Sequence, residues 1–137
     1  MKQQTAPINS EIMDTLVLAS QMDWQQTSDT SYVKVLYTGA ESGHWAVLYR
    51  WLKGHVARPH KHLGGSHTFI MSGKLQVRDA VLAAGDYVYE ANGMLHDETS
   101  ALEDTDYLFV CTGPIIYFDH EGELAGYKSW EEVERLR

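Results

Sequence analysis

The feature that most constrains the fold is a series of short segments in which β-branched and aromatic residues recur at every second position. One segment carries Val33, Val35 and Tyr37, and the next begins with Trp45 and Val47. Glycines interrupt the series at intervals of roughly eight to twelve residues, as expected for turns between short strands. This rhythm predicts an all-β barrel or sandwich.

The two ends of the chain are predicted to differ from this middle part. We expect residues 1–30 to form a short N-terminal arm, with a helix that begins at Asn9 or Ser10 and a polar loop over residues 25–31. Residues 31–137 then form a single domain, a usual size for one core. At the other end, Ser129 followed by Glu131 and Glu132 is typical of the capped start of a C-terminal helix.

Composition excludes several classes of partner. The formal net charge of −8 over 137 residues disfavours nucleic acid and anionic membrane surfaces, and no apolar stretch is long enough to span a bilayer. The one cysteine, Cys111, lies in an apolar run and is expected to be a buried core thiol. Together these features predict a cytoplasmic protein that binds neither nucleic acid nor membrane.

The candidate metal ligands in the sequence are histidines. Of the seven, His60 and His62 are separated by one residue just after Pro59. On a strand, residues two apart point to the same side, so both imidazoles can converge on one metal ion. Taken alone, such a pair is more often two solvated surface histidines.

Two longer motifs change this interpretation. The first runs from Gly54 through five residues to His60-Lys61-His62 and on to Gly73, and the second runs from Gly85 to His96. In this order they resemble the two motifs of the RmlC-like cupin superfamily. The resemblance implies the cupin double-stranded β-helix, a jelly-roll-like barrel, in which His60, His62 and His96 bind one divalent metal per chain.

The sequence departs from the cupin pattern at the position of its usual glutamate ligand, where this chain has Ser66. Serine is a poor ligand for such an ion. Three neutral imidazoles would leave the full +2 charge on the metal. That charge favours an anionic, chelating substrate, and the open coordination positions could also accept dioxygen. The other two departures, Ala91 and Ser100, concern turn geometry.

Several segments resemble three-histidine cupin dioxygenases, namely the 2,4'-dihydroxyacetophenone dioxygenases and, more loosely, the acetylacetone-cleaving enzymes. They are residues 60–67, 70–73, 85–90 and 115–127. The resemblance implies an iron(II) dioxygenase that cleaves a carbon–carbon bond of a small diketone or hydroxyketone with dioxygen. Zinc or nickel could occupy the same ligands after purification.

Four further residues are candidates for the site. Glu90, six residues before His96, could orient a ligand histidine, act as a general base, or bind the metal itself. His67 could be an additional ligand, although strand parity turns it away from the side that Ser66 faces. Arg58 and Arg78 are candidates for binding an anionic substrate.

Other functions remain open at this point. A similar cupin domain in zinc-binding anti-sigma factors suggests a non-catalytic sensor or binding module, and some metal-independent cupins are sugar epimerases. Cupins commonly pair through barrel edges and N-terminal arms, so a homodimer or larger homo-oligomer is expected here.

Overall fold

The computed structural model describes residues 13–96 and 98–137, and the side chain of His96 lies outside this description. Strands dominate it, and the all-β prediction is confirmed. In chain order, the elements are a 3-10 helix (Ala19–Gln21), β1 (Gln25–Ser28), β2 (Ser31–Thr38), β3 (Trp45–Trp51), β4 (His60–His62), β5 (Ser66–Ser72), β6 (Lys74–Val77), β7 (Ala80–Ala83), β8 (Tyr87–Glu90), β9 (Leu95–His96), β10 (Thr99–Ala101), β11 (Thr105–Cys111), β12 (Ile115–Phe118), β13 (Leu124–Lys128) and the helix α1 (Trp130–Glu134).

These strands form three antiparallel groups. A six-stranded sheet has the order β1-β2-β3-β11-β5-β8, a four-stranded sheet has the order β13-β12-β4-β9, and a three-stranded sheet has the order β10-β6-β7. The two larger sheets face each other. His62 of β4 packs against Phe109 of β11, and Lys128 of β13 donates a hydrogen bond to Tyr49 of β3.

The core lies on the inner face of the six-stranded sheet. Alternation places Val47, Phe109 and Ile70 on that face, on three neighbouring strands, and all three are buried. Cys111 is also buried, and its Sγ donates to the Gly113 carbonyl. The predicted core thiol is therefore confirmed. Within the described part of the chain, no helix is long and apolar enough to cross a membrane.

The chain ends match the predictions only in part. Ser129 caps α1 as predicted, because its side chain accepts from the Glu131 N–H and donates to the Glu132 carboxylate. The loop predicted over residues 25–31 is wrong, because β1 (Gln25–Ser28) pairs with β2 there. Residues 13–18 carry no helix, and the predicted helix start at Asn9 or Ser10 lies outside the described residues.

One prediction tests the orientation of β5. Ile70 is 0% exposed, whereas its neighbour Met71 is 49% exposed on the opposite face. Replacing Ile70 by alanine should lower the free energy of unfolding by about 2–5 kcal/mol, because the mutation removes buried apolar volume and leaves a cavity. Met71→Ala, the matched control, should change it by no more than about 0.5 kcal/mol. Equal effects in urea denaturation would contradict this orientation.

Candidate metal centre

His60 and His62 lie side by side on the inner face of β4. Pro59 precedes the strand, and β4 pairs with β12 on one side and β9 on the other. The two imidazole centroids are 5.0 Å apart. His62 is 1% exposed, with the edge of its ring against Phe109 at a centroid distance of 6.0 Å. The side-by-side arrangement predicted from strand parity is present.

A backbone contact sets the tautomer of His60. Its Nδ1 lies 2.7 Å from the Arg58 carbonyl oxygen. A carbonyl can only accept, so Nδ1 carries the proton and donates it. In the neutral ring, Nε2 then has the lone pair that a metal requires. Burial also lowers the pKa of His60, and the nearby Lys128 charge lowers it further, so the neutral form dominates at neutral pH.

A carboxylate from the facing sheet lies beside the imidazole of His62. Glu90, the last residue of β8, is 8% exposed. Its Oε2 lies 3.7 Å from Nε2 of His62. Burial raises the pKa of Glu90 to about 7, although the Arg78 charge partly opposes the shift. Tyr87 and Tyr89 point outward and are exposed, as strand parity predicts.

These three side chains could hold a metal ion. One ligand atom each from His60, His62 and Glu90 lies within 4.8 Å of the others. A metal with imidazole and carboxylate ligands at about 2.0–2.2 Å brings the ligand atoms of one ion to within about 4.4 Å of one another. A small inward movement of the side chains would meet that limit. Two neutral imidazoles and a carboxylate suit zinc and non-haem iron(II).

Register explains how Glu90 reaches this place. Ser66, which stands where the cupin pattern has glutamate, is 0% exposed and paired directly across the ladder with Glu90. Residues paired in an antiparallel ladder share a face. Ser66 Oγ has no hydrogen-bond partner among the described residues. The carboxylate that is absent from β5 is therefore supplied one strand further along, by β8.

His96, the third histidine ligand implied by the resemblance, is described only in its backbone. That backbone pairs with His60 in the ladder between β4 and β9. His96 therefore occupies the register position opposite His60. Its side chain lies outside the described residues, so its role as a ligand stays a prediction.

The side chains of the remaining candidates do not belong to the group formed by His60, His62 and Glu90. His67 is exposed and hydrogen-bonded to the Tyr87 hydroxyl on the outer face. Arg78 is exposed, donates to Met94 Sδ and lines a separate small pocket that Glu90 also borders. Arg58 is exposed and lines the main pocket, with its guanidinium 5.0 Å from the centroid of the Tyr117 ring.

The main pocket, about 520 Å³ in volume, contains His60, His62 and Glu90 in its wall. That volume lies in the range of about 300–1,000 Å³ that is usual for small-molecule sites. Most of the wall is apolar or aromatic. The pocket also contains Lys128, a residue that sequence reasoning missed. No local pattern marks Lys128, because residues 124–128 do not show the alternation that is typical of a strand.

Comparisons with known proteins agree with this architecture. The sequence profile of the ChrR cupin-like domain family matches residues 13–116, which include β4, β8 and β9. The chain therefore belongs to the ChrR cupin-like domain family. The predicted cupin fold is confirmed.

Individual relatives are distant. The acetylacetone-cleaving enzyme of Acinetobacter johnsonii is 23% identical over 107 residues, which cover 74% of this chain and 70% of that protein. A Methylibium petroleiphilum PM1 structure, provisionally named an acetylacetone dioxygenase, has a TM-score of 0.84 at 24% identity and covers 94% of this chain and 97% of its own. An RmlC-like cupin from Ralstonia eutropha JMP134 has a TM-score of 0.82 at 23% identity, with coverages of 92% and 87%.

A matched pair of histidine variants tests the location of the metal centre. His60→Ala removes an imidazole from the group of three, whereas His67→Ala removes one from the outer face. After loading with zinc and gel filtration, elemental analysis should find most of the metal lost from the first variant. The second should keep as much metal as the unmodified protein, about one ion per chain. Greater loss from His67→Ala would place the metal elsewhere.

Proposed function

We propose that this protein is a metal-dependent cupin enzyme, an iron(II) dioxygenase that cleaves a carbon–carbon bond of a small diketone or hydroxyketone. The observation that carries the proposal is the group His60, His62 and Glu90 in the wall of an apolar pocket. The named activities of the relatives in Acinetobacter and Methylibium support the same reaction class.

In this proposal His60, His62 and His96 hold the metal, and Glu90 stands beside it. The backbone pairing of His96 with His60 supports the ligand set. Bound iron(II) would supply a Lewis acid for the ketone oxygens and the one-electron chemistry that activates dioxygen. The metal identity is itself part of the proposal, because imidazole sites accept several divalent ions.

The protein's own residues have two tasks. The phenyl ring of Phe109 and the indole of Trp51 line the pocket and exclude water from the substrate. Glu90 Oε2 would accept the acidic proton of the bound diketone or hydroxyketone, which converts the ketone into its anionic, chelating form. The buried carboxylate is within 3.7 Å of a proposed ligand nitrogen, so a substrate on the metal lies within its reach.

A non-catalytic zinc-binding module is the second candidate. Two histidines and a carboxylate form a ligand set that zinc accepts readily, and the group found here has that composition. The two candidates differ in their reaction with oxygen, since zinc has no redox chemistry.

Oxygen uptake separates them. Protein loaded anaerobically with iron(II) is mixed with air-saturated buffer and a panel of β-diketones and aryl hydroxyketones. The dioxygenase proposal expects substrate-dependent oxygen consumption that stops after chelation of the metal. Zinc-loaded protein is the control and should consume none. Stoichiometric iron without any uptake across the panel would favour the binding module.

Glu90→Gln tests the role of the carboxylate, because glutamine keeps the shape and removes the base. We expect the variant to retain its metal and to lose about 10²- to 10⁴-fold in turnover, the usual contribution of a positioned base. Elemental analysis and oxygen uptake measure the two quantities separately. Loss of the metal would instead identify Glu90 as a ligand, and unchanged turnover would remove it from the mechanism.

His96→Ala completes the assignment of the ligands. Under the proposal, this variant loses both bound metal and oxygen uptake, while its circular dichroism spectrum stays that of the unmodified protein. Retention of about one ion per chain would refute the three-histidine set and leave His60, His62 and Glu90 as the ligands.

A further inference from the structure

A lysine side chain reaches into the same pocket from β13, which is separated from the strand of the histidines by β12. Lys128 ends β13 and pairs with Ile115 of β12, which in turn pairs with His62 of β4. Because paired residues share a face of the sheet, Lys128 and His62 lie on the same inner face, with β12 between their strands. Both line the main pocket.

Aromatic groups surround the ammonium. Lys128 Nζ donates to the Tyr49 hydroxyl at 2.7 Å and lies 5.5 Å from the Trp45 ring centroid and 5.7 Å from that of Tyr117. Burial by itself lowers the pKa of Lys128, but the nearby phenol groups of Tyr49 and Tyr117 raise it more. The side chain therefore carries a positive charge at neutral pH.

This charge has no acidic partner among the described residues. Arg50, Lys74 and Arg137 each form a salt bridge with a carboxylate, whereas Lys128 does not. The acidic residues in the wall of the pocket are Glu90 and Glu132. Glu90 stands beside His62, and the Glu132 carboxylate accepts the Ser129 hydroxyl.

The Lys128 side chain is half-buried, and an ammonium that is partly shielded from water without a counter-ion is costly. Lysine has three N–H donors, and its hydrogen-bond partners here are the neutral phenol groups of Tyr49 and Tyr117 rather than a carboxylate. A second cation, Arg58, lies across the Tyr117 ring and also borders the pocket. Two cationic side chains therefore border the pocket beside Tyr117, although the protein as a whole has a charge of −8.

The two functional ends of the pocket are close. The Tyr117 ring lies 5.8 Å from the His60 ring and 5.7 Å from Lys128 Nζ, measured to its centroid. A small molecule that chelates a metal at His60 and His62 can therefore extend along Tyr117 to Lys128. The far end of this molecule would contact the Lys128 ammonium, which has no carboxylate partner among the described residues.

We propose that Lys128 binds a carboxylate of the substrate, so that the preferred ketone carries an acid group beyond its metal-binding oxygens. This inference rests on the proposed function, and it narrows the substrate class from neutral diketones to oxo acids such as 2,4-dioxopentanoate. The Tyr49 hydroxyl fixes the ammonium in place. The carboxylate supplies the counter-charge through a charge-assisted hydrogen bond at a half-buried ammonium.

Two ligands of nearly equal size test this. Acetylacetone and 2,4-dioxopentanoate differ in that a terminal methyl group is replaced by a carboxylate. Zinc-loaded protein binds them without oxygen chemistry, and quenching of tryptophan fluorescence reports binding because Trp51 lines the pocket. The unmodified protein should bind the oxo acid about ten- to a hundred-fold more tightly, the effect of one hydrogen bond to a charged group.

Variants assign the preference to Lys128. Lys128→Met should abolish the preference for the acid while leaving the affinity for acetylacetone within about threefold, because methionine fills similar space but has neither the charge nor the hydrogen bond to Tyr49. Lys128→Arg should keep most of the preference for the acid, because arginine keeps the positive charge. The matched control is Lys61→Met. Lys61 lies on β4, pairs with Ile116 of β12 and does not line the main pocket. This variant should keep the full preference for the acid. General damage to the pocket would weaken both ligands together.

Each outcome decides the inference. Equal affinity of the unmodified protein for the two ligands would overturn it without any variant, and so would a preference that survives Lys128→Met. These measurements do not depend on turnover. Acid-selective binding without oxygen uptake would therefore support Lys128 as a carboxylate site. That result would contradict only the proposed dioxygenase function.

Discussion

The register of the four-stranded sheet determines the candidate site. β4 is only three residues long, yet it is held between β12 and β9, and its pairing with β12 sets which way His60 and His62 face. A shift of one residue would turn both imidazoles to the outer side. The same ladder continues to β13 and brings Lys128 to the inner face beside them. One set of backbone hydrogen bonds therefore positions both the proposed metal ligands and the proposed substrate contact.

The facing sheet contributes the carboxylate through a second register. Ser66 and Glu90 are paired across β5 and β8, and a cupin glutamate at position 66 would lie next to the position that Glu90 now occupies. Compared with the cupin pattern, this chain has its acidic side chain near the histidines on β8 instead of β5. A carboxylate beside the ligands can move a proton, which a carboxylate bound to the metal does less readily.

Much of this arrangement follows from local patterns in the sequence. Period-two alternation is sufficient to predict the inward side of β5 and β8, including buried Ser66 and Glu90 and exposed His67. Two spaced motifs predict the cupin fold. The capped helix follows from Ser129 and the acids after it. Such features depend on neighbouring residues, and parity or capping can be deduced from a few positions.

Features that depend on distant pairing could not be deduced in this way. β1 contains polar residues typical of a loop and becomes a strand through its ladder with β2. β13 is equally unmarked, so Lys128 could not be assigned to the pocket before its pairing with β12 was known. Arg58 and Arg78 were both predicted as substrate contacts, but only Arg58 lines the main pocket. Neither arginine lies on a strand, so the position of each depends on how distant segments pack, which local sequence does not encode.

The central claim is that a metal ion binds at His60 and His62. Crystals of the metal-loaded protein, measured on both sides of the absorption edge of the bound element, would locate the ion directly by anomalous scattering. We expect one strong peak per chain at about 2.0–2.2 Å from Nε2 of His60 and from a ring nitrogen of His62. A fully occupied peak on the outer face at His67, or elsewhere away from β4, would contradict it.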